Sequence, residues 1–130
     1  MIQQFIELGQ GYGDVYELCE LIKTNEKRFH YAYIFTSNKN GKQVASLAVA
    51  FKPVGESKFM PIYICREGIP FDSEKPSKRI QLFEEAVKEI GKKVVPPFDI
   101  KHSSVFAETT MFYQHLIGIL RMNNLLPPLR

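Results

Sequence analysis

A chain of 130 residues, 45% hydrophobic and 24% charged, has the composition of an ordinary globular protein rather than a disordered one. Its 17 basic and 14 acidic residues are scattered, giving a net charge of +3 without the long basic block of an electrostatic nucleic-acid binder. Nucleic acid is therefore not an expected partner.

Read from the N-terminus, MIQQFIELGQ has neither the basic flank nor the apolar stretch of a signal peptide, and Phe5–Leu8 fits a short strand. From Val15 to about Glu26, Val15, Leu18, Cys19 and Ile22 recur at helical spacing, while Glu17, Glu20, Lys23 and Lys27 take the opposite side. RFHYAYIFT and QVASLAVAF have strand character and flank an Asn-Gly turn, so Arg28–Phe51 reads as a β-hairpin. KFMPIYIC follows as a third strand, with Pro61 suggesting a sheet edge because proline cannot donate to a ladder.

Pro76 then opens a helix whose face is Ile80, Phe83, Val87 and Ile90 and whose stop is Gly91. Val94 and Val95 could add a short strand. A third helix is expected from Val105 to Met122, capped by Ser103 or Ser104 and ended at Asn123-Asn124. Residues 125–130, LLPPLR, form a proline-containing tail. The expectation is one α+β domain over residues 1–130: a three-stranded antiparallel meander, with possible extra short strands, packed with three helices in the order α-β-β-β-α-α. Apolar runs such as VASLAVAF are too short to cross a bilayer, which points to a soluble cytoplasmic protein without membrane contact.

Placing Thr36 opposite Gln43 sets Phe35 against Val44, Tyr33 against Ser46, Tyr31 against Ala48 and Phe29 against Ala50. A row of aromatics then lies beside a row of small residues. Such a row serves as core beneath a helix, or, with Phe29, Tyr31 and Tyr33, as the wall of a pocket for a flat ligand.

LGQGYGD raises the question of phosphate, since glycines before a helix N-terminus can cradle an anion. Gly9, Gly11 and Gly13 miss the G-x-G-x-x-G pattern, because the third position falls on Asp14, and no G-K-[ST] ending follows. Asp14, with Glu17 three residues on, reads instead as an N-cap whose carboxylate takes the donors a phosphate would need.

Other chemistry is sparse. Glu56-Ser57-Lys58 matches half of a nuclease (D/E)-x-K motif, but none of Asp14, Asp72 and Asp99 lies on the meander to complete a metal site. His30, His102 and His115 form no metal-ligand pair, and Cys19 and Cys65 fit no metal or redox spacing, so no metal or cofactor is implied. Asp99, His102 and His115 could converge as an acid–base group. Cys65 beside Arg66 could act as a nucleophile if the guanidinium lowers its pKa. On the last helix Ala107, Met111, Gly118 and Met122 make a soft strip opposite the core face, fit for a homodimer contact or for cover by the tail.

The opening QQFIELGQGYGDVYELCEL resembles the start of a family of short uncharacterised proteins from low-GC Gram-positive bacteria, some loosely labelled methylthioribose kinase. The resemblance runs through the chain and carries no established catalytic residues. The kinase label implies a nucleotide lobe with a lysine, a catalytic aspartate and a metal-binding aspartate. The chain is too short for two lobes and has no H-x-D pair, so Asp72 and Asp99 would have to bear that chemistry.

Three functions follow. The leading one is a non-enzymatic domain acting through protein contacts as a homodimer. The second is a small-ligand binder or enzyme with a pocket between the aromatic face and the helices. The third is a degenerate nuclease-like fold that binds nucleic acid through Lys39, Lys42, Lys52 and Lys58.

Overall fold

A computed structural model describes residues 2–9, 11–72 and 74–127. The elements are β1 (Ile2–Leu8), α1 (Tyr12–Thr24), β2 (Phe29–Lys39), β3 (Lys42–Phe51), β4 (Phe59–Pro70), α2 (Lys78–Glu89), β5 (Phe98–Asp99) and α3 (Thr109–Met122). The fold is α+β, as expected. The antiparallel trio β2-β3-β4 is present, but it is the middle of a mixed five-stranded sheet of order β1-β4-β3-β2-β5, with parallel strands at both margins.

Two corrections concern the strands. Pro61 is not at an edge, because β1 runs parallel along β4 and pairs Gln4 with Pro61. Proline is tolerated because the ladder from β3 begins only at Ile62, beyond the missing donor. The hairpin register also differs by two residues: Asn38, not Thr36, faces Gln43. The Asn40-Gly41 turn, both residues at positive φ, closes a two-residue loop and extends the strands further toward the tip. A shift of two preserves the faces, and it moves Tyr31 from Ala48 to Ala50 and Tyr33 from Ser46 to Ala48.

Phe29 leaves the row. The ladder slips between Phe29 and Tyr31, leaving His30 as an extra residue, and Phe29 turns to the opposite face of the sheet.

Both faces are covered, which explains the nearly unbroken apolar run of β3. On one side α1 and α2 bury Val15, Leu18, Ile22, Ile80, Phe83 and Val87 over Ile34, Leu47 and Val49. On the other, α3 buries Phe112, Leu116 and Leu120 over Tyr33, Phe35, Ile62 and Ile64. The small alanines of β3 thus make room for a helix beneath which Tyr33 and Phe35 are fully buried.

Helix termini show what the sequence pattern displaced. Helix α1 begins at Tyr12 with Gly11 as N-cap, so Asp14 is the third helical residue rather than the cap. Its carboxylate still closes the terminus, accepting from the Gly11 N–H at 3.1 Å. A side chain at Gly9 would press on it, since a Cβ there would lie 2.2 Å from Asp14 Oδ2. Asp14→Ala is expected to cost about 1 kcal/mol in urea denaturation, without any gain of nucleotide binding. Helix α3 begins at Thr109, four residues late, because Phe106 and Glu108 are extended and Ser103–Val105 form a separate 3-10 turn.

Candidate functional site

The outer margin of the molecule is built from β1 and α3. β1 is the first strand of the sheet, so among the described residues no strand pairs with its outer edge. Helix α3 is tied alongside it in the reverse direction. Tyr113 donates to Glu7 Oε1 and stacks on Phe5 with ring centres 4.6 Å apart, while Arg121 Nε donates to Gln3 Oε1 at 2.8 Å. Glu7 also pairs with Arg66 at 3.1 Å, so the single charge of β1 is neutralised within the chain. Between the two elements runs a groove of about 330 Å³, floored by Phe5 and walled by Tyr113, Gln114 and Ile117.

Beyond Gln114, one turn away on either side, lie Met111 and Gly118. Met111 is 47% exposed and Met122 is 84% exposed. Outside its own helix turns, no described residue lies within 4 Å of where a Gly118 Cβ would sit, so no described packing contact calls for glycine there. Ala107 does not join this strip as expected, because it precedes the helix. The described residues of the tail do not cover it either. Leu126 turns into the core, and the Leu125 carbonyl accepts from Tyr33 Oη at 2.9 Å and from His30 Nε2 at 3.1 Å. Pro128, Leu129 and Arg130 lie outside the described residues.

The catalytic candidates disperse. Asp99 accepts from the Thr36 hydroxyl, His102 faces Glu67 and Ser104, and His115 packs on Phe106 with ring centres 5.3 Å apart. No two of the three bond each other among the described residues. Cys65 is fully buried, and desolvation pushes its thiol up to about 12, which leaves it a packing residue at neutral pH. Asp72 holds the Glu74 N–H at 2.9 Å, so the two aspartates a kinase would need serve separate local bonds. Lys39, Lys42, Lys52 and Lys58 do not all form one patch. Lys39 and Lys42 pair at the turn, while Lys52 follows the far end of β3, about 30 Å away along a strand of this length.

The polar centre that replaces them is Glu67, only 5% exposed. Between the pairs Ala45–Ile69 and Leu47–Cys65, β3 supplies only Ser46 against Arg66, Glu67 and Gly68 of β4. Gly68 takes φ +106, and the Ser46 hydroxyl accepts the Glu67 N–H at 2.6 Å. This bulge aims the carboxylate at the loop before α3. There it accepts from the Ser103 hydroxyl, from Ser103 N at 3.3 Å and from His102 Nε2 at 3.4 Å. His102 Nδ1 accepts from Ser104 N at 3.1 Å, which places the ring proton on Nε2, toward Glu67. The cluster is fully bonded and serves as a clamp on residues 102–104. The sequence signal was a charged residue just before a glycine at the end of an apolar strand, the usual mark of a bulge.

This arrangement of a mixed five-stranded sheet between helical layers defines an α+β domain. The chain belongs to the family described as a domain of unknown function, DUF7147, which it matches over residues 1–126. No curated protein and no solved structure matches it. No helix among the described residues is long and apolar enough to cross a membrane.

Proposed function

We propose that this chain is a non-enzymatic cytoplasmic domain acting through protein contacts, as a homodimer joined across α3 beside the open edge of β1. Gly118 carries the reading. Glycine inside a helix costs about 1 kcal/mol relative to alanine, and no neighbour among the described residues demands it. A second helix approaching closely would demand it, and exposed Met111 and Met122 supply adaptable apolar flanks.

A second copy suits this face better than a charged partner. Ile2–Leu8 carries no lysine, and its one charged residue, Glu7, is paired with Arg66; two identical faces can meet there without repulsion. The edge itself has none of the lysines, inserted prolines or bulges that usually guard an open strand.

Thermal melts over a hundredfold range of protein concentration test the reading. The melting temperature of the wild type should rise with concentration, as linkage to association requires. Gly118→Arg should melt at one temperature throughout. A wild-type melting temperature independent of concentration would overturn the dimer.

A further inference from the structure

A second groove, of about 550 Å³, opens at the other side of the molecule and is lined by Phe29, His30, Tyr31, Lys52, Lys92 and Lys93. The backbone fixes it firmly. Lys52 N donates to the Arg28 carbonyl at 2.7 Å, and Arg28 Nε returns to the Lys52 carbonyl at 3.0 Å. Gly91, at φ +75, ends the α2 segment, and Lys92 N donates to the Val87 carbonyl at 3.1 Å. Val94 then bridges to Ala32, with Val95 N on the Ala32 carbonyl at 2.9 Å, so Lys92 and Lys93 are held beside the start of β2.

The charge is one-sided. Among the described residues no carboxylate lines the groove, and none of its three lysines ion-pairs. Three like charges facing one hollow repel each other until an anion enters. Next to them His30 and Tyr31 present planar rings, set edge to face with centres 4.7 Å apart. Both are half-buried, and the His30 bulge is what brings the imidazole and the phenol side by side.

We infer that this groove binds a nucleotide unit, the lysines taking its phosphate, Tyr31 stacking on its base and His30, set across Tyr31, meeting the base at its edge. An acidic peptide would satisfy the lysines but not the rings. The volume lies within the range of small-ligand sites, and the shape of an open trough suits either a free nucleotide or one unit of a single strand. The inference rests on a different surface from the dimer face and stands or falls independently of it.

Fluorescence anisotropy with a labelled twelve-residue oligothymidylate provides the test. Binding is expected at 50 mM salt and should weaken roughly twentyfold at 200 mM if three phosphates are engaged. Lys92→Glu/Lys93→Glu changes only exposed side chains and should abolish it; Tyr31→Ala should weaken it about tenfold. Displacement by millimolar ATP would assign free nucleotide as the ligand, whereas a complex that resists ATP would assign a single strand. Absence of binding by both probes at 50 mM salt would overturn the inference. So would indifference to the double lysine reversal, or displacement by polyglutamate as effective as by ATP.

Discussion

Phe112→Ala is expected to destabilise the protein by about 3–5 kcal/mol, the range for deleting a buried aromatic ring. Phe112 is fully buried at the start of α3, where it meets Phe106 and Tyr113 and packs over the β2-β3-β4 face. The first turn of α3 has no side-chain cap on its Glu108 N-cap, so packing rather than capping holds that end of the helix down. Loss of the ring should lower the melting temperature by on the order of 10 °C. Denaturation in urea would measure the change, and a loss under about 1 kcal/mol would mean that α3 does not close this face of the sheet.

Removal of the Glu67 carboxylate is the second large effect. Glu67→Ala should cost about 3 kcal/mol, because the Ser103 N–H, the Ser103 hydroxyl and His102 lose their shared acceptor inside the fold. Ser46→Ala should cost about 1 kcal/mol, since it strips one acceptor from the bulged Glu67 N–H. The two residues act on one bulge, so the double variant should fall short of the sum. Amide exchange at Ser103 should accelerate in Glu67→Ala. Stability within 0.5 kcal/mol of the wild type would show that the clamp on residues 102–104 is dispensable.

Local signals were legible and distant ones were not. The stripes of α1 and α2 and the Asn40-Gly41 turn are written in residues a few positions apart, and all appear in the fold. β1 was visible only as a short strand, because its parallel pairing with β4 joins residues more than fifty positions apart and leaves no local periodicity. The register missed by two because either alignment places aromatics over alanines, and only the tightness of the turn distinguishes them. Phe29 was misplaced for a different reason: a bulge inverts side-chain alternation without altering composition.

The candidate site was less legible still. Asp99, His102 and His115 are the residues a search for acid–base chemistry selects, yet His102 found its carboxylate in Glu67, which the apparent end of β4 at Cys65 had hidden. The soft strip of α3 was read from spacing alone, and three of its four members do lie on the helix, with Met111 and Met122 exposed. The groove of Lys52, Lys92 and Lys93 could not be read, because its lysines come from two segments that only the Ala32–Val94 bridge brings together.

Sedimentation equilibrium addresses the α3 contact most directly. The wild type should approach a mass of twice the 15.0 kDa of one chain as concentration rises, and Gly118→Arg should remain at 15.0 kDa. A wild type that stays at the mass of one chain up to millimolar concentration would contradict the account.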